Sequence, residues 1–83
     1  MKKHLEIVAA MPCCACGKQP CQAHHLVGRN MRVKSKSPDV FAISLCYDCH
    51  AQLHHFGWRT WEQRHGSQIE HSARTLETLL YGN

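Results

Sequence analysis

The sequence predicts a small α+β domain stapled by zinc, and three observations predict it. Large apolar residues are scarce: Leu, Ile, Val and Phe number 16 of 83, or 19%, near the range of disordered chains. Six cysteines and eight histidines stand where a larger core is missing. Two short strand-prone segments lie between helix-prone segments along the chain. Ordering costs about 1.5 kcal/mol per residue, which a core this thin rarely offsets without staples. The length allows a single domain over residues 1–83 and excludes a large enzyme with a deep organic-cofactor pocket.

The elements follow in order. Leu5 to Met11 reads as a short helix with Leu5, Val8 and Ala9 on one side, stopped by Pro12. Cys13 to Gly17 forms a first knuckle, with Gly17 allowing the turn. Cys21 to Val27 is a strand candidate ending at Gly28, and Gly28 to Asp39 is a polar loop with Ser35, Ser37 and Pro38. Val40 to Leu45, rich in β-branched and aromatic residues, is the second strand. Tyr47 to Phe56 suits a helix ended by Gly57, and Thr60 to His65 adds a short helix before Gly66. Ser67-x-x-Glu70 is a capping-box pattern. It opens a last helix whose Ile69, Ala73, Leu76 and Leu80, at spacings of 4, 3 and 4, form an apolar stripe for the core.

Six cysteines also suit three disulfides in a secreted mini-protein, but their spacing favours metal. Cys13-x-x-Cys16 and Cys46-x-x-Cys49 are two knuckles with 29 residues between them. Each knuckle aims two thiols at one ion, and together they make a tetrahedral structural zinc site. Cys14 and Cys21 are left over, as small buried side chains or as substitutes for a knuckle ligand. Met1-Lys2-Lys3-His4 precedes an apolar run too short and interrupted for a signal peptide. No apolar run approaches the roughly 20 residues of a membrane span. The expected location is therefore the reducing cytoplasm.

Eight histidines are about four times the background for this length. His50 and His54, four apart on one helix, share a face and can bind one ion. His55 is the reserve ligand. His24 and His25 close the first strand and point to opposite sides of it, so one can ligate while the other faces a substrate. A metal ion plus a separate imidazole suits phosphodiester hydrolysis. The ion stabilises charge on phosphate, and an imidazole, titrating near neutrality, takes a proton from water. Asp39 is a turn residue before the second strand or orients the loop beside the imidazole. His4, His65 and His71 read as structural or exposed. For the four-histidine set, the alternative is a second, purely structural zinc.

The net charge of +4 is unevenly placed. Residues 7–38 hold Lys18, Arg29, Arg32, Lys34 and Lys36 with no acid, so the other residues sum to −1. Arg29, Arg32, Lys34 and Lys36 predict a phosphate-contacting loop with weak sequence preference, against the plainer reading of a solvated connection. No stacking platform is evident from the sequence.

The ordered set Cys13-Cys14-Ala15-Cys16-Gly17, Ala23-His24-His25-Leu26, Asp39 to Cys49-His50-Ala51-Gln52-Leu53-His54 and Trp61 to Gln68 resembles the ββα-metal (HNH) endonucleases built on a zinc-knuckle, treble-clef-like scaffold. Residues 13–80 look like small phage and prophage HNH proteins, including the recombination-enhancement, RecA-dependent nuclease family. The resemblance implies a ββα-metal core with flanking helices and a weakly specific, metal-dependent DNA endonuclease acting in phage recombination or DNA processing. It implies His24, His50 and His54 as ligands of the catalytic ion and His25 as general base. Cys13, Cys16, Cys46 and Cys49 would hold structural zinc. Many members carry Asn at the middle position; here Asp39 sits nearest that role. The catalytic ion is Zn²⁺, Mn²⁺ or Mg²⁺, with imidazoles favouring transition metals. DNA and a RecA-type recombinase filament are the expected partners, in a bacterial host cell. The rival reading is a non-catalytic zinc module that binds DNA or a recombination protein, which has no need of His25.

Overall fold

The computed structural model of the protein describes residues 2–28 and 39–82. The chain forms helix α1 (Lys2–Ala9), strand β1 (Cys21–His24), a 3₁₀ turn (Asp39–Phe41), strand β2 (Ile43–Cys46) and helices α2 (Tyr47–Phe56), α3 (Trp58–His65) and α4 (Gln68–Tyr81). It is a small α+β protein, as the sequence predicts. The two strands are antiparallel, with Cys21 opposite Cys46 and His24 opposite Ile43.

β2 is buried at all four positions. α1 packs on both strands, and α2 and α4 pack on β2. Strands covered on both faces lose the usual alternation, which explains the sequence Ile-Ser-Leu-Cys. The one hydroxyl in it, Ser44, donates to the Pro12 carbonyl at 2.7 Å. The core joins Leu26, Ile43, Leu45, Leu53 and Trp61 to Cys13, Cys46 and Cys49. The Trp61 indole N–H donates to the Cys49 carbonyl at 3.2 Å, so the largest core side chain also fixes the second knuckle.

Several boundaries differ from the expected ones. α1 starts earlier and frays over Ala10 and Met11, whose amides still reach back to Glu6, Ile7 and Val8 before Pro12. β1 stops at His24 because its partner β2 is only four residues long, so residues 25–27 leave the sheet. The segment expected to open the second strand at Val40 curls instead, with the Ala42 amide on the Asp39 carbonyl at 3.0 Å. Local turn chemistry at Asp39 overrides β propensity there. α3 begins at Trp58 rather than Thr60.

The largest correction concerns α4. Its Ser67 cap forms, accepting from the amides of Ile69 and Glu70. The Ile69, Ala73, Leu76 and Leu80 stripe does not enter the core: Ile69 is 50% and Leu80 71% exposed. The buried face is Gln68, His71, Ser72 and Thr75. Irregular backbone that leaves the sheet must find hydrogen bonds, and the polar face of α4 supplies them. Gln68 donates to the Val27 carbonyl (2.9 Å) and accepts from the Val27 amide (3.1 Å). Glu62 Oε2 receives both the Gln68 side-chain amide at 3.0 Å and its backbone amide at 3.1 Å. The His71 ring donates to the His65 carbonyl at 2.6 Å.

Gln68 thus substitutes for a missing strand beside Val27, two residues beyond His25. Gln68→Leu orphans both Val27 backbone groups and should cost roughly 2–4 kcal/mol. Urea unfolding of the metal-loaded protein measures this; a loss below about 0.5 kcal/mol, the level of an ordinary surface change, would contradict the bracing role.

Candidate functional site

Two ligand clusters flank the junction between β2 and α2. The strand runs into the helix without a loop, so Cys46 ends β2 and caps α2. Cys49 follows one turn later. The first knuckle is closed by the Gly17 amide on the Cys13 carbonyl (2.8 Å) and by the Cys13 amide on the Lys18 carbonyl (2.9 Å). It is pinned to β2 by the Cys14 amide on the Ser44 carbonyl at 2.9 Å. These bonds bring the Sγ atoms of Cys13, Cys16, Cys46 and Cys49 within 4.8 Å of one another.

The donor set fits a tetrahedral ion such as zinc. Cys16 and Cys46 sulfurs lie 3.6 Å apart; a tetrahedron with Zn–S bonds of about 2.3 Å has edges of about 3.8 Å. Burial would raise the Cys13 thiol, but backbone amides at Cys46, Ala15 and Cys16 bring it down to about 7, favouring the thiolate that ligates. Cys14 and Cys21 lie outside this cluster. Burial pushes Cys14 up to about 12. Burial, then the neighbouring Cys13 charge, pushes Cys21 up to about 11. Burial also raises Cys49, a cluster member, so geometry and not titration sets Cys14 and Cys21 apart; Cys21 donates to the Lys18 carbonyl at 3.1 Å.

The second cluster is His24, His50 and His54, whose ring nitrogens also lie within 4.8 Å of one another. His24 comes from the end of β1, and His50 and His54 from one face of α2, four residues apart as helix geometry requires. His50 and His54 Nε2 atoms are 3.1 Å apart. His24 is 9% exposed, and its buried Nε2 has no hydrogen-bond partner. An orphaned imidazole nitrogen facing two others is what a divalent ion would satisfy. Burial, then the charges of His50 and His54, lowers the His24 imidazole to about 4. Burial, then His54, lowers His50 also. Both therefore remain neutral at pH 7 and offer lone pairs to a metal.

His25 follows His24 out of the sheet, and its Nε2–H donates to Asp39 Oδ1 at 2.6 Å. That bond fixes the tautomer and leaves the lone pair on Nδ1. His55 is exposed and stands edge-on to Phe56 rather than joining the cluster. His65 contacts Gln52 at 3.2 Å, and His71 is buried. Arg29, Arg32, Lys34 and Lys36 lie outside the described residues. The sequence reading missed Gln68 and Glu62, because a Gln in a first helical turn carries no signal of burial.

A family model described as a protein of unknown function (DUF968) matches residues 1–81. An uncharacterized protein of Escherichia coli (strain K12), YdfU, is 31% identical over 80 residues, 95% of this chain and 23% of that protein. The chain therefore spans about a quarter of the length of that curated relative. No solved structure matches significantly. Among the described residues, no helix is long and apolar enough to cross a membrane.

Two expectations follow from the clusters. Cys46→Ser, or a strong chelator, should abolish cooperative thermal unfolding, since metal binding and folding are one equilibrium in such a domain. An unchanged melting transition in protein shown to be metal-free would overturn the thiol assignment. The lowered imidazoles set the sign of the acid response. Between about 6.5 and about 4 the unfolded chain binds protons that folded His24 refuses. Stability should therefore hold at neutral pH and fall through that window. Ring NMR of protein loaded only at the thiols should place the His24 midpoint near 4; a midpoint at the ordinary imidazole value would contradict the burial argument.

Proposed function

The chain belongs to the DUF968 family, and from its two ligand clusters we propose that it is a metal-dependent DNA endonuclease of the ββα-metal (HNH) type. The observation that carries this reading is the His25–Asp39 pair, on the residue that directly follows the cluster histidine His24. A structural zinc site explains three imidazoles but not a fourth, tautomer-fixed imidazole on the residue after His24. The antiparallel strands leading straight into a ligand-bearing helix further support the ββα comparison.

An ion held by His24, His50 and His54 would supply Lewis-acid stabilisation of the scissile phosphate and the leaving 3′ oxygen. His25 accepts a proton at Nδ1 from water as that water attacks phosphorus, and the bond to the 3′ oxygen breaks. Asp39 holds the ring and stabilises the imidazolium that forms. The thiol cluster, loaded with zinc, fixes β2 and α2 so that these groups stay in register. Arg29, Arg32, Lys34 and Lys36 contact phosphates without reading bases. The same reading makes DNA in phage or prophage recombination the substrate and a RecA-type filament a protein partner.

Cleavage of single-stranded, duplex and branched DNA, each with Mg²⁺, Mn²⁺ or Zn²⁺, tests the reading. His25→Ala should lower the rate about 10²–10⁴-fold while metal content and DNA affinity stay at parental levels. Asp39→Ala should lower it less, since it acts through His25. Cleavage by His25→Ala at the parental rate would place the base elsewhere. DNA binding with no cleavage under any metal would favour the non-catalytic zinc module.

A further inference from the structure

The sequence holds six cysteines, and the thiol cluster gathers four of them. A fifth, Cys21, stands next to that cluster. The antiparallel register sets Cys21 directly opposite Cys46, so both side chains leave the sheet on one face, with Cβ atoms about 4.5–5.5 Å apart. Two cysteines that share an ion through Zn–S bonds of about 2.3 Å hold their Cβ atoms roughly 6–7 Å apart at most. Cys21 is therefore within ligand spacing of Cys46, and its thiol also meets the Cys13 sulfur. It is turned instead to the Lys18 carbonyl, at 3.1 Å. That carbonyl also accepts the Cys13 amide at 2.9 Å, so releasing Cys21 leaves no acceptor unpaired.

The four cluster cysteines are not equivalent. Cys13, Cys46 and Cys49 are buried and belong to the hydrophobic core, whereas Cys16 is exposed and stands outside it. Replacing a buried one removes packing that a sulfur placed elsewhere cannot restore. Cys16 carries no such packing, and it is the ligand that oxidants and alkylating agents in solution reach. In a domain whose folding is tied to its ion, loss of that one exposed sulfur would threaten the whole structure. We propose that Cys21 is a reserve ligand of the thiol site, taking the fourth position on a thiophilic ion such as zinc when the Cys16 sulfur is lost. Cys14 does not share this role. Its amide is held by the Ser44 carbonyl, and it borders a separate cavity with His71, Arg74 and Thr78. The proposal rests on the thiol assignment and is independent of the nuclease reading.

Replacing Zn²⁺ by Co²⁺ in the intact chain tests this, because thiolate-to-cobalt charge-transfer absorption grows with the number of bound thiolates and reports the thiol site apart from the histidines. Parent and Cys21→Ser should show equal bands, since the reserve is idle while Cys16 is present. Cys16→Ser should keep the parental band and bind Co²⁺ within about tenfold of the parent, a loss no larger than that of a supporting group. Cys16→Ala, which adds no oxygen ligand, should behave the same way. The double variant Cys16→Ser with Cys21→Ser should fall to a three-thiolate band and lose more than about a hundredfold in affinity, beyond what a supporting group costs. Pairing Cys16→Ser with Cys14→Ser should change nothing further. A three-thiolate band or no cobalt binding in both Cys16 variants would overturn the reserve ligand. So would a parental band in the Cys16 and Cys21 double variant, or a weaker band in Cys21→Ser, which would make Cys21 a resident ligand. A parent with no charge-transfer band would sink the thiol assignment itself.

Discussion

At Cys46 a strand becomes a helix with no intervening residue, and the remaining geometry depends on that junction. Cys46 holds an extended backbone, φ −72° and ψ 168°, and starts α2 without a side-chain cap. Its sulfur is thus committed to the thiol cluster and not to the helix amides. A metal ion there would tie β2, the first turn of α2 and the first knuckle to one point. That point spans 30 positions of sequence between Cys16 and Cys46, a loop whose closure the small core alone would have to offset. With the junction fixed, helix phase decides the rest: Cys49 turns back to the thiols, while His50 and His54 turn to the end of β1.

A second constraint operates where the sheet ends. β1 runs out of partner after four residues, yet the chain must present His25 and then Gly28 in defined places. The protein solves this with side-chain amide chemistry. Gln68, 1% exposed, pairs with Val27 as a strand neighbour would, and Glu62 keeps that amide oriented. This explains why the polar face of α4 is buried and its apolar face is not. Buried backbone groups cost more when unpaired than an exposed leucine costs when wet.

Legibility in the sequence follows the same division. Ligands at short, fixed spacing were readable: Cys-x-x-Cys and His-x-x-x-His encode their geometry in a turn and in helix pitch, and α2 forms over the expected Tyr47–Phe56. The polar and apolar sides of α4 were not, since the pattern Ile69, Ala73, Leu76, Leu80 is a sound core stripe by periodicity alone. Only the tertiary position of Val27 and His65 reveals that Gln68 and His71 are needed beneath them. The Asp39 contact was half legible: an acid near the second strand suggested a partner for His25. Its 3₁₀ turn, which sets the carboxylate within 2.6 Å of the ring, depends on local backbone bonding that propensity does not encode. Phe56 and Arg64 meet only because Gly57 folds two helices into an elbow.

The adjacency of Cys49 and His50 ties the geometry of the two clusters together. Neighbouring helical residues point about 100° apart, so one turn of α2 faces both clusters at once. An ion at the thiols fixes the turn that aims His50, and His50 meets His24 only while β1 stays paired with β2. An ion lost from the thiols would therefore weaken the histidine site without touching a histidine, whereas an ion lost from the histidines would leave the thiols and the core in contact. The coupling is reciprocal in free energy, but its structural consequences are not. The thiol cluster shares its packing with Leu45, Leu53 and Trp61. The histidine cluster sits at the rim, with His54 exposed. Under the proposed nuclease reading, the more exposed histidine site would admit the phosphate and the thiol site would hold the fold.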